Sequence, residues 1–197
     1  MKSKSLVSVL SIIAIIVVVA LWISGVYNSM VAQDENVKTA WSQVDNQYQR
    51  RLDLIPNLVS TVKGYAAHES ETLENVISAR SKATQTTIDP TNLNEATLSQ
   101  FQQAQGELSS ALSRLMVVVE KYPDLKANQN FLELQAQLEG TENRIAVERM
   151  RFNDAVKAYN TYIRKFPNNL FSGMFDFMPK AYFSAEAGAQ SAPKVEF

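Results

Sequence analysis

Cysteine is absent from the chain. That excludes disulfides, thiolate metal sites, a cysteine nucleophile and a lipidated cysteine anchor. It is compatible with either side of a membrane. Histidine occurs once, as His68 in the run His68-Glu69-Ser70-Glu71. A His and a Glu three residues apart could touch one metal ion, but zinc takes three or four protein ligands, so His68 reads as a solvated turn residue. The six glycines, at positions 25, 64, 106, 140, 173 and 188, are scattered, whereas a phosphate-cradling loop needs them clustered ahead of a helix. No serine lies in a nucleophile-elbow pattern. A hydrolase would need a nucleophile or a metal set that the sequence does not offer. The expectation is a protein that is not an enzyme, with no cofactor and no catalytic, cofactor-binding or metal-ligating residues.

Charge is missing from one region. Residues 5–33 contain no Asp, Glu, Lys or Arg, and the residues after 33 carry 17 basic against 20 acidic side chains. The slightly acidic balance gives no basic face for nucleic acid. Within the uncharged region, residues 6–23 are apolar except for Ser8 and Ser11. At ~1.5 Å per residue the run reaches roughly 27 Å, close to the hydrocarbon thickness of a bilayer. Trp22 and Tyr27 stand where an interfacial aromatic belt would lie. The run therefore reads as a transmembrane signal anchor over 6–24, behind a short tail at 1–5. A cleaved leader is the alternative; cutting after Val18-Val19-Ala20 would leave Leu21-Trp22-Ile23 exposed at the new terminus. Lys2 and Lys4 ahead of the anchor place the N-terminus in the cytoplasm and the domain on the outer side by the positive-inside rule.

After the anchor no stretch alternates with a period of two, and apolar residues recur in steps of three and four. The pattern predicts helices over 27–67, 69–87, 93–121 and 124–166. Representative stripes are Val37, Trp41, Val44, Tyr48 in the first and Phe152, Val156, Tyr159, Ile163 in the last. Ile88-Asp89-Pro90-Thr91-Asn92 is a turn, Pro123 opens the last helix, and Pro167 ends it. Ser70 and Thr72 are candidate N-caps. Pro56, inside the first helical pattern, predicts a kink or break, and Gly25 a bend. Short links make neighbouring helices antiparallel. The fold class is all-α: an N-terminal transmembrane helix followed by an elongated antiparallel four-helix bundle over 27–166, an aromatic segment at 167–183, and a mobile tail over 184–197.

Several blocks resemble the LemA family. They are Tyr27-Asn28-Ser29-Met30-Val31, Ala40-Trp41-Ser42-Gln43-Val44-Asp45, Arg50-Arg51-Leu52-Asp53-Leu54-Ile55-Pro56-Asn57-Leu58-Val59, Val62-Lys63-Gly64-Tyr65-Ala66, Tyr122-Pro123-Asp124-Leu125-Lys126-Ala127-Asn128, Thr141-Glu142-Asn143-Arg144-Ile145 and Tyr159-Asn160. Phe166-Pro167, Phe177 and Tyr182-Phe183 extend the likeness. The resemblance implies a bacterial envelope protein with one transmembrane helix and a four-helix bundle, in the inner (cytoplasmic) membrane. It supplies no activity and no catalytic residues. Some members look linked to membrane-protease stress systems and others to specialised inner membranes.

Polar residues interrupt two apolar stripes. Arg51 lies 24 residues past Tyr27, roughly 36 Å at helical rise, and 24 residues back from Phe166 is Glu142, with Glu148 the alternative if the last helix ends higher. An interhelical layer is expected in which Arg51 meets Glu142 or Glu148, with Asp53 and Asn57 extending it toward Arg144. Such a layer fixes register and partner choice or lines a ligand site. The aromatic segment, with Phe171, Met174, Phe175, Phe177, Met178, Tyr182 and Phe183, should emerge at the membrane. There it packs on the base of the domain, enters the lipid interface or joins subunits. Two functions remain: a membrane-tethered interaction module, partnered by the bilayer and by other envelope proteins or itself, and a sensor or small-ligand binder using the polar layer.

Overall fold

The computed structural model describes residues 2–184, with side chains from residue 6. The chain is all-helical, and no strand occurs among the described residues. Four long helices are joined by short links: α1 (Lys2–Tyr65), α2 (Ser70–Gln85), α3 (Glu95–Val119) and α5 (Gln129–Arg164), with single turns α4 (Pro123–Lys126) and α6 (Asn169–Ser172). The part of the expected tail beyond Ser184 lies outside the described residues.

Helix α1 runs 64 residues without interruption. The expected tail at 1–5 is not separate from it, since helix begins at Lys2, and neither Gly25 nor Pro56 breaks it. Its first section is long and apolar enough to cross a membrane, and the side chains there are exposed. Pro56 has no N–H to give the carbonyl four residues back. That carbonyl, on Leu52, instead accepts the Arg80 Nε–H of α2 at 2.8 Å. A donor from a neighbouring helix thus fills the vacancy that proline leaves.

Two other expectations are corrected. Neither Ser70 nor Thr72 caps α2; Glu69 holds the cap position without a side-chain cap bond, and its carboxylate accepts the Tyr122 hydroxyl at 3.1 Å. The last helix is also not one piece. A single turn opened by Pro123 stops at Ala127, and the Asn128 side chain restarts the helix by accepting the Phe131 N–H at 3.0 Å. Asn94 and Thr97 build a reciprocal capping box at the start of α3. Its polar sequence masked that device, which satisfies two orphan donors at once.

Residue numbers rise along α1 as they fall along α5. Asn128 donates to the Tyr65 hydroxyl, Arg51 pairs with Glu142, and Trp41 meets Phe152 edge-on at 5.6 Å. Buried apolar residues form two clusters. The distal one takes Ile55, Leu58 and Val62 of α1, Leu73 and Val76 of α2, Leu108 and Leu115 of α3, and Phe131 of α5. The proximal one, nearer the apolar section, takes Met30, Trp41 and Tyr48 of α1, Phe101 of α3, and Phe152, Val156 and Tyr159 of α5. Helix α2 contributes nothing to it; Phe183 from the C-terminal segment does.

Candidate functional site

Arg51 stands where the two clusters meet. Its neighbours on α1, Tyr48 and Leu52, belong to the proximal and distal clusters respectively. Only 2% of Arg51 is exposed, and a buried cation must be paired and hydrogen-bonded to be tolerated. Nη1 donates to Glu142 Oε2 at 2.9 Å and to Ser109 Oγ at 3.0 Å. Nη2 donates to Gln105 Oε1 at 2.5 Å and, more weakly, to the Gln105 carbonyl at 3.4 Å. The guanidinium also lies 5.2 Å from the Tyr48 ring centroid, within cation–π range. Nε is buried with no hydrogen-bond partner among the described residues.

The remaining expected members of the layer are elsewhere. Glu148 pairs with Arg151 on its own helix at 2.7 Å. Asp53, Asn57 and Arg144 are exposed. A helix turns ~100° per residue, so Asp53 stands roughly 200° around α1 from Arg51, and Arg144 as far around α5 from Glu142. Neither can share its neighbour's face. The layer is completed from α3 instead, by Gln105 and Ser109, which the sequence did not single out. The signal available was Gln105 falling between Phe101 and Leu108 on the buried stripe.

A groove of about 800 Å³ opens beside this layer. Arg51, Arg114 and Arg149 are its cations and Glu142 its acid, while serines and glutamines of α3 supply much of the rest. Such a lining can hydrogen-bond an extended polar chain, and its excess of arginine favours negative charge.

The C-terminal segment reaches the same groove along α5. Asp176 sits at φ 60°, a left-handed conformation that Asp tolerates in turns. Beyond it the chain is held by side-chain amides. Asn160 donates to the Lys180 carbonyl and accepts its N–H, both at 2.9 Å. Asn153 does the same for Phe183, at 3.1 and 2.9 Å. Seven residues of helix rise ~10.5 Å, and three residues of extended chain span about as much, so the two asparagines match the two backbone sites. The Tyr159 hydroxyl donates to the Met178 carbonyl at 3.0 Å; burial, with the Asp34 charge, pushes its pKa up to about 12. Phe183 stacks on Trp41 at 5.9 Å. Ser184 ends at the groove, its carbonyl accepting from Gln102 and Arg149.

Lys180 is anchored from α1 as well, 3.0 Å from Asp34, which also holds Lys38 at 2.8 Å. Burial raises the Asp34 pKa, but hydrogen bonds from Lys38 and Lys180 outweigh it and hold the carboxyl below its ordinary value. Asn153, Asn160 and Asp34 were not singled out as site residues, because their partners are backbone atoms or a lysine far along the chain.

The LemA family model matches residues 40–197. The chain belongs to the LemA family. In this LemA chain the matched stretch takes in Arg51, Gln105, Glu142 and both asparagines, and the apolar section precedes it. Among relatives, Magnetosome protein MamQ 2 of Paramagnetospirillum magneticum is 27% identical over 90% of this chain and 70% of its own length. Magnetosome protein MamQ of Magnetospirillum gryphiswaldense is 26% identical over the same shares. Protein LemA of Metamycoplasma hominis is 25% identical over 80% of this chain and 68% of its own.

Proposed function

We propose that this LemA-family chain is a non-catalytic, membrane-anchored scaffold of the bacterial cell envelope. In this reading residues 6–24 span the inner membrane, and 27–166 form an antiparallel four-helix bundle on the outer side that binds other envelope proteins or copies of itself. The observation that carries it is the continuity of α1, one helix from the exposed apolar section through both buried clusters. No hinge separates anchor from domain, so the distal end is held at a set height, about 57 Å of helix from Tyr27 to Tyr65. Kinship with proteins named for magnetosomes supports a membrane setting.

The absence of cysteine makes the test clean. A single cysteine at His68, exposed in the link between α1 and α2, can carry a membrane-impermeant maleimide and then a crosslinker. Labelling of intact cells, stripped of any outer membrane, and discrete protein adducts are expected. Labelling only after lysis overturns the orientation. Uncrosslinked monomer under conditions that crosslink a known envelope complex overturns the scaffold.

A second reading, a small-ligand binder, draws on the groove beside Arg51, where a buried guanidinium has a donor left over. Saturable binding of an anionic ligand that Arg51→Met abolishes without unfolding the chain would favour it over the scaffold.

A further inference from the structure

The C-terminal segment carries two sets of apolar side chains. Phe171, Phe175 and Phe177 are half-buried against α1: Phe171 meets Trp22 edge-on at 5.7 Å, and Phe175 and Phe177 meet Tyr27 at 5.1 and 5.8 Å. Other large apolar side chains of the segment, Phe166, Leu170, Met174, Met178 and Tyr182, stay uncovered. These are 79, 60, 73, 61 and 47% exposed. The chain therefore stabilises the first set on itself and leaves the second exposed.

The location of the exposed set decides its occupant. Trp22 is the penultimate residue of the apolar run, and Tyr27 lies four residues, ~6 Å, beyond its end. The part of the segment around Phe171, Phe175 and Phe177 thus packs beside α1 at the level where the run gives way to polar sequence. A surface around the exit point of a span faces the bilayer plane, and the headgroup–acyl boundary admits apolar faces to a depth of about 5–10 Å. Charge agrees with this. With Lys180 paired to Asp34, residues 164–178 carry Asp176 as the sole acid against Arg164 and Lys165, a balance suited to anionic headgroups. The pinning by Asn153, Asn160 and Asp34 fixes the height of the segment relative to α1.

We infer that Phe166, Leu170 and Met174 form an apolar patch, a collar on one side of the span, that sits in the lipid interface and gives the chain a second attachment beside its anchor, while the chain from Met178 to Tyr182 climbs away along α5. The collar rests on the reading of residues 6–24 as a membrane span, and the experiment separates the two. Single-cysteine variants Met174→Cys, Met150→Cys and Val17→Cys of the full chain are labelled with a small environment-sensitive fluorophore. Each is then reconstituted in phosphatidylcholine–phosphatidylglycerol vesicles. Met150 is the control: an exposed methionine on α5, about 24 Å up that helix from Phe166.

The expected result is that the probe at 174 is quenched by nitroxide lipid labelled near the headgroup and loses its quenching by aqueous iodide. The probe at 150 behaves oppositely, and that at 17 is quenched by nitroxide near the chain terminus. A probe at 174 that behaves like that at 150, with the one at 17 deep, overturns the collar and leaves the span intact. A probe at 174 shielded from iodide but untouched by either nitroxide places protein on this face and also overturns it. A probe at 17 open to iodide overturns the span and the collar together. Leu170→Cys, on the same face, repeats the reading at a second site.

Discussion

Arg51 offers five N–H donors; four acceptors on two other helices take bonds from Nη1 and Nη2, and Nε is left without one. The arrangement is asymmetric. The Arg51 side chain is 3% exposed, whereas that of Glu142 is 58% exposed. Removing Glu142 therefore costs a screened ion pair, about 1 kcal/mol or less. Removing Arg51 leaves buried Gln105 oxygens without a donor and a void between two apolar clusters, and should cost about 3 kcal/mol. Chemical denaturation of the detergent-solubilised chain distinguishes the two; equal effects of Glu142→Ala and Arg51→Ala would contradict a layer built chiefly on α3. Asp34 makes a separate prediction. Its folded pKa lies below its ordinary value, so its contribution is fully present above the unfolded pKa and is lost as pH falls through the folded one. The melting temperatures of wild type and Asp34→Asn should differ at neutral pH and converge on acidification, over roughly pH 5 to 3 and below. A gap that stays constant across that range would show that the carboxylate does not hold Lys38 and Lys180 as drawn.

Among the elements, α1 carries a proline whose cost is met by another helix. The carbonyl of Leu52 takes its hydrogen bond from Arg80, so the two residues should be energetically coupled. In the wild type, Arg80→Ala leaves a half-buried carbonyl unsatisfied and should cost about 1–2 kcal/mol. In a Pro56→Ala background the new amide of residue 56 can close the helical bond, and the same change should cost markedly less. A double-mutant cycle with no coupling would rule this out. This device also shows how far the sequence could be read. The apolar stripes of α1, α3 and α5 were legible because burial imposes a 3.6-residue period on one face. Pro56 was legible as a problem, but not its solution, since Arg80 satisfies it from 28 residues away. Helical rise, with the last helix taken to return toward the membrane, narrowed the partner of Arg51 to Glu142 or Glu148, and Glu142 is the one it meets, whereas Gln105 and Ser109 did not follow, because α3 has polar residues on either side of them. The break at Asn128 left only a faint trace, a nine-residue step from Leu125 to Leu134 that would put the two on opposite faces of one continuous helix. The amide clamps on residues 180 and 183 leave no periodic trace, because one partner in each bond is backbone.

For the molecule as a whole, the unequal helix lengths create a problem that the C-terminal segment solves. Helix α2 has 16 residues, ~24 Å, against ~54 Å for the 36 residues of α5. It covers α1 only in the distal half, and the distal cluster accordingly draws on all four long helices. Nearer the apolar section, Trp41 and Phe152 would lack a cover on one side. Phe183 supplies it, stacked on Trp41 and edge-on to Phe152 at 5.4 Å, with Asn153 and Asn160 fixing the backbone that delivers it. The two clusters meet at the Arg51 layer, so loss of the segment should be felt mainly on one side of that layer. Truncation after Asn169 should lower hydrogen-exchange protection of amides near Phe101 and from Ile145 to Ile163. Amides from Leu108 to Val119 and from Phe131 to Leu138 should keep nearly native protection, as expected for separable cooperative units. Uniform loss along both halves would mean that the Arg51 layer couples the clusters into one unit. No loss anywhere would mean that the segment lies on a core already complete without it.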